Sequence, residues 1–161
     1  MSRHHHTALT GLVLTCGLLA LALTSTVRAQ PAPEVAPIFF THDDPRLEWA
    51  PCPEFLPEGC GLAVLQGDPE AHNTDVFFRV PAGAELPHHW HTSAERMILV
   101  SGELHLTYEG HDTHVMRPGS YAYGPARLAH EGRCAEGAEP CILFIAFEQP
   151  VDAIPTEAAT R

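Results

Sequence analysis

GAELPHHWHTSAERMILVSG, residues Gly83–Gly102, is the stretch from which the rest of the chain can be read. It holds His89, His91 and Glu95 close together, between two glycines and ahead of an apolar run. Residues two apart on a strand point to the same face, so His89 and His91 project together while His88 and Trp90 face away. Thr92-Ser93-Ala94 then has room to turn the chain, letting the next strand begin with Glu95 beside the imidazoles. Neutral imidazole plus carboxylate is a donor set that divalent first-row metals accept. Taken alone, the cluster fits surface or hydrogen-bonded histidines equally well.

Outward from this stretch the pattern stays short and alternating. From Gly61 on, the runs Leu62–Leu65, Val76–Val80, His88–His91, Arg96–Val100, Glu103–Tyr108, Thr113–Arg117, Ser120–Tyr123, Leu128–Glu131 and Ile142–Phe147 follow one another, closed by Gly, Pro, Asn or Asp. Ser101-Gly102 and Glu109-Gly110 stand where tight hairpin turns are expected. No segment keeps a helical period, so the reading is all-β, a sandwich or barrel. Residues 30–60 form a Pro-rich N-terminal arm. Its prolines withhold ladder donors and permit at most short edge strands near Ile38-Phe39-Phe40 and Leu47–Trp49. Residues 61–148 form the single domain, and 149–161 a small, polar tail expected to be loose.

Residues 1–29 read as a secretory signal peptide: a short start with Arg3, an apolar stretch from Leu9 to Leu23, and Val27-Arg28-Ala29 before the cut after Ala29. The apolar run is shorter than the ~20 residues a membrane span needs, so no stable anchor is expected after cleavage. The expected location is secreted or periplasmic. Cleavage would also remove Arg3 and Arg28 from a chain whose net charge is already −11 and which has no lysine. Such a surface offers no basic stripe for a phosphate backbone, which disfavours nucleic acid as a partner.

Cys52, Cys60, Cys134 and Cys141 remain after Cys16 leaves with the leader. In an oxidising compartment the local pairs 52–60 and 134–141 are the natural choice among three connectivities. A zinc site is the rival, and no C-x-x-C spacing supports it.

A second set of residues changes the weight of the first. Gly83-x5-His89-x-His91-x3-Glu95-x6-Gly102 resembles the first motif of the cupin superfamily at every fixed position. Gly119-x5-Pro125-x-Arg127-x2-His130-x3-Cys134 resembles the second. There Arg127 stands where glycine is usual and Cys134 where asparagine is usual. The intervening Glu103–Pro118 suits a strand, a turn at Glu109-Gly110 and another strand. The stretches HWHTSAERMILVSGELHLTYEG and PGSYAYGPARLAH look like those of a group of single-domain bacterial cupin proteins, which narrows the fold and leaves the reaction open.

The resemblance implies a double-stranded β-helix, or jelly-roll barrel, with a metal held by His89, His91, Glu95 and His130. The expected cofactor is a divalent transition metal ion: Fe, Mn, Ni, Cu, Co or Zn. Three neutral imidazoles and one carboxylate would leave such an ion open positions for exogenous ligands. Metal would be expected to leave as pH falls below ~6. The resulting expectation is an exported, oxygenase-type metalloenzyme acting on a small organic substrate, with its catalytic residues unknown. The alternative is a non-catalytic module that binds or senses a metal or small molecule.

Arg127 either aims its guanidinium at Glu95 or an incoming carboxylate, or lies in solvent. Cys134 makes sense if a 134–141 bridge fixes a strand end. His105 and His114 read as strand-surface residues. Tyr121 and Tyr123 share a face, where one near the barrel mouth would position substrate. Phe77, Phe78, Met97, Leu99, Phe144 and Phe147 read as core around the metal. Exposed strand edges and the arm would suit a homodimer.

Overall fold

A computed structural model describes residues 36–137 and 139–156. The expected signal peptide and the last residues of the tail lie outside the described residues. Those described form strands and no helix: β1 (Trp49–Pro51), β2 (Gly61–Gln66), β3 (Thr74–Val80), β4 (Glu85–Trp90), β5 (Glu95–Ser101), β6 (Leu104–Tyr108), β7 (His114–Met116), β8 (Tyr121–Gly124), β9 (His130–Cys134), β10 (Cys141–Phe147) and β11 (Ile154–Pro155). Each alternating run noted from Gly61 onward corresponds to one of β2 to β10. Gly102 and Gly110 take φ of +80° and +78°, the left-handed turn geometry that glycine adopts without a Cβ penalty.

The strands form two antiparallel sheets. One has the order β1-β2-β3-β10-β5-β8 and the other β11-β4-β9-β6-β7, giving a jelly-roll barrel. The described residues from Ile38 onward make one compact unit. Inward-facing Val76 and Val80 of β3, Met97 and Leu99 of β5, Leu104 and Leu106 of β6, and Leu143, Ile145 and Phe147 of β10 fill the interior. Phe78 packs against them. Strand alternation places Phe77 and Phe144 on the opposite face of their sheet, where they pair with each other. Those two therefore do not surround the candidate site, contrary to the expectation from sequence.

Both cysteine pairings occur as expected: Cys52–Cys60 within the arm and Cys134–Cys141 between β9 and β10. The second ties one sheet to the other. The first closes a loop whose Leu56 turns into the core. Of the two edge-strand expectations in the arm, Trp49 opens β1, which pairs with β2. Ile38 and Phe39 instead lie exposed outside any strand.

The tail differs from expectation. Val151 N–H donates to Pro69 O at 2.8 Å. β11 pairs with β4 through Ile154↔Trp90 and Pro155↔His89. Thr156 N–H and Oγ1–H both donate to His88 O. Residues 151–156 thus form a strap along β4. A short polar sequence carries no periodic signal for this, because the strap is held by partners distant in sequence.

Candidate metal centre

His89 and His91 come from the end of β4 and the residue after it, and Glu95 opens β5. His130 opens β9 directly across from His89 in the strand register. All of them are buried. The imidazole centroids are 4.3 Å apart for His89 and His130, 4.9 Å for His89 and His91, and 5.2 Å for His91 and His130. One nitrogen from each ring falls within 4.8 Å of the others, a spacing suited to shared coordination of an ion. Glu95 turns Oε1 toward His91 Nε2 at 3.4 Å and Oε2 toward His130 Nε2 at 4.0 Å. The structure therefore brings together all four residues singled out by the motifs.

Hydrogen bonding fixes which ring nitrogens face inward. His89 Nδ1 lies 2.7 Å from Pro87 O, His130 Nδ1 lies 3.4 Å from Leu128 O, and His91 Nδ1 contacts Asp152 O. A carbonyl oxygen only accepts, so each Nδ1 carries the hydrogen and each Nε2 keeps its lone pair for the centre. Desolvation reinforces this. Burial, with lesser effects from neighbouring imidazoles, lowers His89 to about 4 and His130 to about 3. Both rings stay neutral near pH 7, the form in which a histidine ligates. Burial raises Glu95 above the ordinary carboxylate range, partly offset by His91. A buried carboxylate facing three lone pairs is poorly stabilised by its surroundings, and a divalent cation is the counter-charge that this donor set fits.

The strap supplies the partner that holds His91. Asp152 gives its backbone oxygen to the ring, and its carboxylate accepts from Thr92 N–H at 2.9 Å and Thr92 Oγ1–H at 2.6 Å. Neither Asp152 nor Thr92 could be found from sequence, since the pairing spans a tail without pattern.

A cavity of about 220 Å³ opens over the cluster. Its walls include Leu62, Phe78, Leu86, Met97, Leu143 and Ile145, and its rim is built from the arm and the strap. Among the described residues no arginine lines it. Arg127 is exposed, with its guanidinium 5.9 Å over Trp90, so the reading that aimed it into the barrel does not hold. Its φ of +65° matches the left-handed turn for which glycine is usual at that motif position. Its N–H donates to His91 O at 2.8 Å, so the backbone there still braces the site.

Tyr108 is the other residue at the site that the motifs do not mark. Its ring packs 4.9 Å from His130, and its hydroxyl is buried without a hydrogen-bond partner. Burial, and then the Glu95 charge, raise its pKa, so it remains a neutral phenol. Same-face alternation with Leu104 and Leu106 was the available signal. Tyr121 and Tyr123 are exposed and, with Tyr108, line a separate outer groove of about 490 Å³. His105 and His114 lie on the strand surface as expected, half-buried and exposed respectively.

The family model for the Cupin domain matches residues 76–147, a span that contains every residue of the cluster. Among solved structures of similar fold is the DMSP lyase DddQ from Ruegeria pomeroyi DSS-3, at 19% identity and a TM-score of 0.59. That match covers 68% of this chain and 61% of the lyase, so the chain spans about three fifths of that protein's length. KdgF from Halomonas sp. matches at 18% identity and a TM-score of 0.54, over 71% of this chain and 96% of its own. An RmlC-like cupin protein from Ralstonia eutropha JMP134 matches at 28% identity and a TM-score of 0.54, over 66% of each chain. No curated protein matches the chain in sequence.

Proposed function

The chain belongs to the cupin superfamily, and from that premise we propose that it is an exported metal-dependent enzyme of the oxygenase type acting on a small organic molecule. The observation that carries this reading is the convergence of three Nε2 lone pairs and one buried carboxylate at the floor of an apolar cavity. His89, His91, His130 and Glu95 would hold a divalent transition metal ion. When bound, such an ion supplies Lewis-acid or redox chemistry toward water, dioxygen or a chelating oxygen ligand.

The chain's own residues do the rest. Backbone carbonyls of Pro87, Asp152 and Leu128 orient the imidazoles. Leucine, isoleucine and phenylalanine walls exclude water and favour a substrate with an apolar body. With no arginine among the described residues that line the cavity, a second anionic group on the substrate would go unpaired there, so a single oxygen-bearing end fits best. Similar structures include a DMSP lyase, which supports small-molecule chemistry on this fold without fixing the reaction. Export is supported by the two disulfides, which persist in oxidising surroundings. Pairing with a second copy through β1 or β8, the edge strands of the larger sheet, belongs to the same reading.

The second reading is a binding or sensing module. It draws on the absence, among the described residues lining the cavity, of a lysine, arginine or cysteine thiol to act beside the cluster. Elemental analysis of protein purified from its native compartment tests the shared premise; no stoichiometric metal would sink both readings. Oxygen uptake against phenols, diketones and carboxylic acids then separates them. Turnover supports the enzyme, and saturable binding without consumption of oxygen or ligand supports the module.

A further inference from the structure

Two features at opposite edges of the larger sheet stand unpartnered among the described residues. The first is the folded arm ahead of β1. Arg46 grips the Asp44 carboxylate with Nε at 2.9 Å and Nη2 at 2.6 Å. The same Nη2 donates to Phe39 O at 2.8 Å, and the guanidinium lies 4.9 Å over the Phe40 ring. Backbone bonds from Asp44 N–H to Thr41 O and from Leu47 N–H to Asp44 O close the turns between them. This bracing leaves Ile38 and Phe39 in solvent, 52% and 80% exposed. Phe39 is the most exposed large apolar residue among those described.

The second feature is the outer groove of about 490 Å³. It opens between β7 and β8, the outermost strands of the two sheets, which do not pair with each other. Leu106, Val115, Met116, Tyr121, Tyr123 and Leu128 supply its apolar and aromatic walls. Among the described residues no carboxylate or arginine lines it. On a chain of net charge −11, such a groove lets another acidic body approach without meeting like charge. The arm's Ile38-Phe39-Phe40 is equally free of charge.

We propose that Ile38 and Phe39 of one protomer seat in the β7–β8 groove of a second copy of this chain, and reciprocally, so that two arms clasp two barrels. The arm joins the sheet at β1, and the groove lies at β8, the far edge of the same six strands. At ~4.8 Å per strand the two edges are about 24 Å apart, and no arm residue lines the groove of its own barrel. A two-fold axis lets each copy offer its arm to the groove of the other. Each seat would take roughly 300 Å² from solvent on either side, so the two together bury about 1,200 Å², the low end of specific interfaces. Arg46 already holds the arm in shape, so little ordering cost is left to binding. The contact is made by side chains and so differs from strand pairing along an edge, although it rests on the association with a second copy in the reading above.

Native mass spectrometry and sedimentation of protein recovered from its native compartment should give a dimer at micromolar concentration. Phe39→Ala should raise the dimer's Kd about a hundredfold, since two phenylalanines leave the contact together. Tyr121→Glu, which puts a carboxylate into the groove, should weaken it comparably. Both positions are exposed, so both variants should melt as wild type does. Phe39→Cys combined with Tyr121→Cys should oxidise to a covalent dimer by non-reducing intact mass, with peptide mapping joining the two positions. The same bridge in a product of monomer mass would put the arm on its own barrel and overturn the proposal. A wild-type protein that stays monomeric, whether bare or carrying a small molecule in the groove, would also overturn it. So would an unchanged Kd in Phe39→Ala, which would leave strand pairing along β1 or β8 as the contact. Metal content enters none of these readouts, so failure here leaves the metal reading standing.

Discussion

Ending the chain after Gln149 removes the strap, and with it the oxygen of Asp152 that orients His91. The imidazole would keep its place on the backbone but lose the acceptor that fixes its tautomer and ring angle. Losses of this kind at metal-ligating histidines typically reduce affinity by about 10- to 100-fold. Asp152→Ala is a milder perturbation: the backbone oxygen stays, and only the carboxylate that accepts from Thr92 N–H and Thr92 Oγ1–H is lost. Hydrogen bonds to a charged group contribute about 1.5–3 kcal/mol each. The clamp is only partly buried, so the low end applies, and roughly 2–3 kcal/mol of strap closure would go. The pairing of β11 with β4 and the Thr156 contacts remain to hold the strap shut, so metal affinity should fall by less than in the truncation. Asp152→Asn, which keeps an acceptor oxygen, should recover part of the loss. Competition for Co2+ against a chromophoric chelator measures all three, with the surface substitution His105→Ala as control. A truncated protein that holds Co2+ within twofold of wild type would refute the role given to the strap.

His91→Ala or His130→Ala should abolish metal retention by elemental analysis while circular dichroism still reports a folded barrel; retention within twofold in either would count against the ligand set. The metal-free protein should lose stability on acidification. His89 and His130 are held to about 4 and about 3 when folded and rise to ~6.5 when unfolded, so the unfolded chain binds more protons between those limits. Each ring would contribute up to ~1.4 kcal/mol per pH unit over that window, while Glu95, raised by burial, works in the opposite sense. A melting temperature that stays flat or rises from pH 7 to pH 4.5 would contradict this. Reduction of both disulfides, verified by intact mass, should cost about 2–3 kcal/mol for each short loop and lower the melting temperature by roughly 10 °C or more. An unchanged melt would show that neither bridge restrains the barrel.

The strands were legible in the sequence because half-buried antiparallel pairs impose a period of two, and the runs from Gly61 to Phe147 keep it. The candidate metal cluster was legible because local spacing sets three of its members: parity for His89 and His91, and a turn that brings Glu95 to the start of β5. His130 required the second motif, since its place opposite His89 is a property of strand pairing. Parity also has limits. It shows that Phe77 and Phe78 face opposite ways but not which face is the interior. The strap was illegible because Asp152 and Thr156 act through partners on β4 that no nearby residue announces. Arg127 shows the converse: a residue that breaks the motif in sequence still adopts the left-handed backbone the motif needs.

The Cys134–Cys141 bridge joins the strand that carries His130 to the strand whose Phe147 packs 5.8 Å from the ring of His91. It works as a seam between the halves of the barrel, and whether it closes is set by where the chain is made. Protein produced in a reducing cytoplasm would assemble its halves around free thiols, beside a different supply of ions. Two preparations of identical sequence could then differ in metal content because of their manufacture. Expression host and oxidation history are accordingly experimental variables of the same rank as pH for this barrel.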